Sequence, residues 1–178
     1  DDSSKRAYNR TSYILVVDDD NTLLKFFKIH LNKFFSRVIV VKNAKEAIEV
    51  LREKEIDLVL TDVRMPRMNG LDLMKRVRKI DSAIPVLLIS GALLDDEQEE
   101  LVEAADGFLR KPFSVDDLHA YLDRGMELRE KYLELAGMLP DKKAVRDVLR
   151  GKAKLKKFIK DETIETAEAL VNELKRVS

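Results

Sequence analysis

Asp57-Leu58-Val59-Leu60-Thr61-Asp62-Val63-Arg64-Met65-Pro66-Arg67-Met68-Asn69-Gly70 decides how this chain is read. An apolar run ends near a carboxylate, Asp62, and passes directly into a loop shaped by Pro66 and Gly70. Five runs of this kind occur, at 13–17, 38–41, 56–60, 85–89 and 107–109. They are too short for helices and too uniformly apolar for half-exposed strands, so they predict parallel strands buried on both faces. Three others also end on polar groups: 13–17 leads to Asp18-Asp19-Asp20, 85–89 to Ser90, and 107–109 to Arg110-Lys111-Pro112-Phe113.

Amphipathic stretches separate the runs. Leu23, Phe26, Phe27, His30, Leu31 and Phe34 recur at helical spacing in the first. Asn43 and Glu46 open the second as a cap pair, followed by Ala44, Ala47, Ile48 and Leu51. Leu71, Met74 and Val77 mark a third, and an acid-rich stretch over about 94–105 a fourth. Five alternations of strand and helix predict an α/β fold, a doubly wound five-stranded parallel sheet with right-handed crossovers. In strand order 2-1-3-4-5 the first and third strands flank the point where the winding reverses, and ligands bind outside the carboxyl ends there. Asp18–Asp20, Asp62, Ser90 and Lys111 all stand at such ends.

A last long helix is expected from Ser114, an N-cap, to Ala136, about 34 Å at 1.5 Å per residue. Leu118, Leu122 and Met126 form a stripe for the sheet; Tyr121, Leu128, Tyr132 and Leu135 form a second, suited to a partner beyond the sheet. Gly125 is a candidate interruption. Gly137 to Pro140 punctuate the chain, and short helices are expected at about 141–150, 152–160 and from Asp161, the last with Ile164, Ala167, Val171, Leu174 and Val177 on one face. The organisation expected is a tail at 1–11, a main domain at 12–131 and a helical extension at 132–178.

Composition bounds the function. The chain has 178 residues, 45% hydrophobic and 37% charged, with no cysteine, which excludes disulfides and thiolate chemistry. No apolar stretch approaches the roughly 20 residues of a membrane span, and the opening lacks the apolar middle of a signal peptide, so the reading expects a cytoplasmic protein away from membranes. Net charge is zero but unevenly spread: residues 141–178 hold 11 basic against 7 acidic groups, and 142–160 carry nine basic residues with Asp147 the lone acid. A solvated helical face explains that segment most simply; a nucleic-acid patch is the alternative.

Carboxylates gathered at one pocket repel by about 4 kcal/mol per pair at 4 Å and an effective dielectric of 20. A divalent cation relieves this, and hard oxygen donors with room for water favour Mg²⁺, with Asp19 and Asp62 as ligands, Asp18 beside them and the Arg64 backbone carbonyl available. Asp62 is then placed to take a phosphoryl group as an acyl phosphate, with Lys111 as fixed charge and Ser90 as hydroxyl donor for the phosphoryl oxygens. Asp20 with Asn21 reads as a helix cap. His30 and His119 read as structural.

An acidic pair after strand one, Asp-x-x-Met-Pro-x-x-x-Gly after strand three, Ser after strand four and Lys-Pro-Phe after strand five closely resemble the receiver domain of two-component response regulators, over roughly Ser12 to Lys131. The resemblance implies a flavodoxin-like fold and Mg²⁺-dependent phosphotransfer from a sensor histidine kinase or phosphotransfer protein to Asp62. It implies a phosphoacceptor with slow self-dephosphorylation rather than an enzyme with a separate substrate. It also implies that Ser90 and Phe108 act as a switch pair moving the face of the fourth helix, fifth strand and fifth helix, and that Lys111-Pro112 is often cis. Gly91 replaces the frequent Ala, and Arg64 and Ala92 occupy the positions that tune dephosphorylation in this family. For output, the reading expects 132–178 to contact a downstream protein or form a homodimer, with DNA binding through the basic segment as the alternative. Asp18-Asp19-Asp20-Asn21-Thr22 also matches the Asp-x-Asp-x-Thr opening of haloacid-dehalogenase-like phosphatases, with Asp18 as nucleophile and Asp20 as acid/base; that reading leaves the Asp62 loop unexplained.

Overall fold

A computed structural model describes residues 12–91, 93–103, 105–138, 141 and 143. Strands β1 (Tyr13–Val17), β2 (Arg37–Val41), β3 (Leu58–Asp62), β4 (Val86–Ser90) and β5 (Gly107–Arg110) alternate with helices α1 (Asn21–Leu31), α2 (Ala44–Glu53), α3 (Gly70–Ile80), α4 (Asp96–Glu103) and α5 (Val115–Met138). All strand pairs are parallel, in the order β2-β1-β3-β4-β5. The doubly wound fold is therefore the one the sequence predicts.

Alternation along the strands fills two cores. Leu15, Val17, Val59 and Leu88 meet the apolar faces of α2 and α3, while Ile14, Val16, Leu60 and Ile89 meet Leu24, Phe27 and Leu31 of α1 and Leu118, Leu122 and Met126 of α5. Burial on both faces holds for β3 and β4 throughout, but the edge strands β2 and β5 are only half-buried at Ile39, Val40, Phe108 and Leu109. An edge strand lacks one neighbour, so its apolar run covers less.

Local registers differ from expectation where partners decide them. β3 begins and ends two residues later than 56–60, because Ile14 pairs with Leu58 and the Asp57 N–H is spent on the Tyr13 carbonyl at 2.9 Å. Asp62 is thereby the last residue of its strand. In α1 the face turned inward is Leu24, Phe27 and Leu31, whereas Phe26, expected inside, is 37% exposed and Phe34 lies in the turn that follows. At α2 the cap forms as predicted: the Glu46 N–H donates to Asn43 Oδ1 at 2.9 Å, and Glu46 Oε2 accepts from the Lys42 N–H at 3.1 Å.

Helix α5 runs without interruption through Gly125. A Cβ there would stand 2.7 Å from Leu87 Cδ1 and 3.0 Å from Leu58 Cδ1, so the glycine lets the helix lie close on the sheet. Gly125→Ala is expected to cost about 1–3 kcal/mol by overpacking. Gly137→Ala, with nothing within 4 Å of its Cβ, should instead gain about 0.5–1 kcal/mol of helix propensity. Denaturant titration of the two variants checks the contrast.

The second stripe of α5 does not project. Tyr121 donates its hydroxyl to the Leu88 carbonyl at 2.9 Å, and Leu128, Tyr132 and Leu135 are all buried. The Tyr132 hydroxyl donates to Asp106 Oδ1, whose other oxygen accepts from the Val86 N–H at 2.8 Å. Burial first, and then the Asp106 charge, push the Tyr132 phenol well above its ordinary range, keeping it a proton donor. Arg129 ties the same helix to the Ala83 carbonyl at 2.9 Å and to Asp57 at 3.5 Å. The face the sequence offered to a partner is thus turned into this chain. Tyr132→Phe, which leaves a buried carboxylate oxygen short of a donor, should lower stability by about 1.5–3 kcal/mol in chemical denaturation. Of the basic segment 142–160 only residue 143 is described; the rest of it, with the short helices expected there and the final amphipathic stretch, lies outside the described residues.

Candidate functional site

Parallel strands end together, so their C-terminal residues share one rim. β3 and β4 are level, with Asp62 opposite Ile89, and β4 and β5 finish at Ser90 opposite Arg110. The adjacent end of β1 delivers Asp18 and Asp19. Oxygens of Asp18, Asp19 and Asp62 lie within 4.8 Å of one another. Asp18 is 2% exposed and Asp62 9%, while Asp19 faces solvent.

Each carboxylate is held differently. Asp18 Oδ1 accepts from the Asp20 N–H at 2.8 Å, and its Oδ2 accepts from Lys111 Nζ at 3.1 Å. Lys111 also stands 3.6 Å from Asp62 Oδ2, so one ammonium serves two carboxylates. Burial raises the Asp62 pKa above the ordinary aspartate value; Lys111 and the Arg64 N–H work against this, while Asp18 and Asp19 add to it. The pocket therefore holds more negative charge than its own cation offsets.

Asp20 belongs to the helix rather than the pocket. Its carboxylate caps α1, accepting from the Thr22 N–H at 2.9 Å and the Leu23 N–H at 3.3 Å. That engagement leaves the acid/base role of the phosphatase-like reading without its residue.

The loop after β3 is built by close approach. The Gly70 N–H donates to the Val63 carbonyl at 2.8 Å, and a Cβ on Gly70 would fall 2.2 Å from the Asp62 carbonyl oxygen. Between Pro66 and Gly70 the chain turns through Arg67, whose φ of 70° is the left-handed region. Arg64 reaches across the rim, its Nη2 donating to the Leu93 carbonyl at 2.6 Å, and so links the loops after β3 and β4. No sequence pattern signals this contact.

Ser90 is buried, and its carbonyl accepts the Lys111 N–H at 3.0 Å. A Cβ at Gly91 would be 3.3 Å from Lys111 Cβ, so the glycine gives that side chain room. The Lys111–Pro112 bond is cis, and Phe113 stacks on Phe27 with centroids 6.2 Å apart. Phe108 lies mid-strand in β5, opposite Leu88, half-buried against the core on the α2–α3 face. Of the residues singled out from sequence, Asp18, Asp19, Asp62 and Lys111 converge on one point, Ser90 closes the neighbouring strand, and Phe108 stands two residues before the end of its own. Tyr121 is the group sequence reasoning misplaced: a Cβ on Gly107 would meet its ring at 2.5 Å, so the bare glycine seats the tyrosine.

Residues 14–123 match the family model described as the response regulator receiver domain. Over 114 residues the chain is 35% identical to the transcriptional regulatory protein ZraR of Klebsiella oxytoca, and 30% identical to the autoinducer 1 sensor kinase/phosphatase LuxN of Vibrio harveyi, in each case across 64% of this chain. Those stretches make up 26% of ZraR and 13% of LuxN, so the chain spans a small part of the curated relatives it matches. The crystal structure of a response regulator receiver domain protein from Clostridium thermocellum superposes with a TM-score of 0.62 at 30% identity, covering 69% of this chain and 99% of that one. The receiver domain of a Francisella response regulator gives 0.58 at 28% identity, over 68% and 98%.

Proposed function

The chain belongs to the response regulator receiver domain family, and from that premise we propose that it accepts a phosphoryl group on Asp62 from a sensor histidine kinase or phosphotransfer protein. The observation that carries this is the crowding of Asp18, Asp19 and Asp62 within 4.8 Å around one lysine. Three hard carboxylate donors with a solvent-facing member suit a divalent cation that keeps part of its water, and Mg²⁺ fits that set. Asp18, Asp19, Asp62 and the Arg64 carbonyl would hold it. When bound, it supplies the positive charge that the three carboxylates and an incoming phosphoryl group lack.

The chain's own residues perform the transfer. A carboxylate oxygen of Asp62 forms a bond to phosphorus as the bond to the donor's imidazole nitrogen breaks, the departing nitrogen keeping the electron pair. Lys111, already paired with Asp62, holds the phosphoryl oxygens, and Ser90 donates its hydroxyl to them. The new group adds about −1.5 to −2 charge at the rim. It shifts the domain only through contacts that differ between two states, and Ser90 and Phe108 provide them on adjacent strands. The surface of α4, β5 and α5 then carries the change to a downstream partner.

The test is incubation with Mg²⁺ and a small acyl-phosphate donor, followed by intact mass and peptide mapping. One added phosphoryl group on the peptide containing Asp62 is expected. Label on Asp18 instead would favour the phosphatase-like chemistry.

A further inference from the structure

The chain's two histidines meet on the α1–α5 side of the sheet, although 89 residues separate them. His30 in the last turn of α1 and His119 in the second turn of α5 bring their Nε2 atoms to 2.9 Å, with ring planes tilted by 48°. His119 is 7% exposed and His30 half-buried, so solvent reaches the pair from the His30 side. Phe26 stacks on His30 at 5.5 Å, and Phe34 sets its edge against His30 and His119 at 5.8 and 4.9 Å. These rings hold the imidazole planes and offer no ligand atom of their own.

As neutral groups the two imidazoles share one N–H···N hydrogen bond, which requires one ring to donate and the other to accept. The same facing nitrogens suit a cation. Two imidazole nitrogens bound to one divalent ion at about 2.0–2.1 Å lie about 2.9–3.4 Å apart, for angles between a right angle and the tetrahedral one. The observed separation of 2.9 Å falls at the near end of that range. Asp116 and Asp123 stand three residues before and four after His119, spacings that share a helical face.

We propose that His30 and His119 form a chelating site for an imidazole-preferring divalent transition-metal ion of the Ni²⁺, Cu²⁺ or Zn²⁺ class, with water completing its coordination, which clamps α1 to α5. Nitrogen ligands distinguish it from the pocket of Asp18, Asp19 and Asp62, whose oxygens select a harder ion.

The experiment is calorimetric titration of the full chain, carrying no histidine tag, with Ni²⁺ in a large excess of Mg²⁺ that fills the acidic pocket. One Ni²⁺ per chain is expected, with affinity at least tenfold weaker in His30→Gln and in His119→Gln and unchanged in Asp19→Asn. His30→Gln alters the half-exposed member and keeps the test decisive if His119→Gln does not fold. In the parent, substoichiometric Ni²⁺ should broaden the ring-proton resonances of both histidines together. Absence of Ni²⁺ uptake under excess Mg²⁺, or uptake that His30→Gln leaves intact, overturns the proposal.

Discussion

Asp62→Asn is expected to take up no phosphoryl group and, in EDTA at neutral pH, to unfold at a higher temperature than the parent. The amide cannot form the acyl phosphate, and it keeps the shape of the side chain while removing its charge. The carboxylate oxygens lie within 4.8 Å of one another, and at that limit a pair repels by about 3.5 kcal/mol at an effective dielectric of 20; Lys111 offsets part of this. A net gain on the order of 1 kcal/mol is expected, which is about 2–4 °C in a chain of this size. The pH dependence has a definite sign. Burial, reinforced by Asp18 and Asp19, raises the Asp62 pKa in the folded state above 3.8, so the folded parent binds the proton more tightly than the unfolded chain. The parent therefore loses stability as pH rises from 3.8 through the folded-state pKa, and the advantage of the variant grows over that window and vanishes below it. Saturating Mg²⁺ should reverse the order if, as proposed, it is held by the parent's three carboxylates, since a ligand of the folded state stabilises it by mass action. Thermal unfolding by circular dichroism, with EDTA or Mg²⁺ at two pH values, measures all three effects. A variant less stable than the parent in EDTA at neutral pH contradicts the charge argument.

Gly70→Ala should be the most damaging small substitution at the rim. The added carbon would stand 2.2 Å from the Asp62 carbonyl oxygen and 3.0 Å from Val63 Cα, backbone atoms of the last residue of β3 and the one after it. Neither can move as a side-chain tip would. Relief requires the loop after β3 to shift, which breaks the Gly70 N–H bond to Val63 and displaces Asp62 from Lys111. A loss of about 3 kcal/mol or more is expected. Phosphoryl uptake should fall by more than tenfold even where the variant is folded, since a displaced nucleophile loses its alignment. Urea titration and intact-mass labelling check the two halves separately. Gly91→Ala provides the contrast, because the nearest atom to its Cβ would be Lys111 Cβ at 3.3 Å and the nearest backbone atom the Lys111 carbonyl oxygen at 4.0 Å.

Much of the rim was legible because it depends on short-range pattern. An apolar run of five residues followed by a carboxylate gives both the strand and its polar end, and repetition gives a sheet whose ends coincide. The observed convergence of Asp18, Asp19, Asp62 and Lys111 follows from that register. The Asn43–Glu46 cap was readable for the same reason, since its bonds span three or four residues. Periodicity failed where two helical faces were equally apolar: Leu23-Leu24 and Phe26-Phe27 offer adjacent pairs, and packing on the face of β1 and β2 chose Leu24 and Phe27.

Sequence by itself determined the alternation of buried strands and helices and the polar group that ends each strand, because each is written in neighbouring residues; parallel strands that end together then bring those groups to one rim. Only tertiary structure decided that Tyr132 turns inward to Asp106, that Arg64 spans to Leu93, and that His30 and His119 face each other. Those contacts join residues 26, 29 and 89 positions apart, and their geometry is set by how helices pack on the sheet.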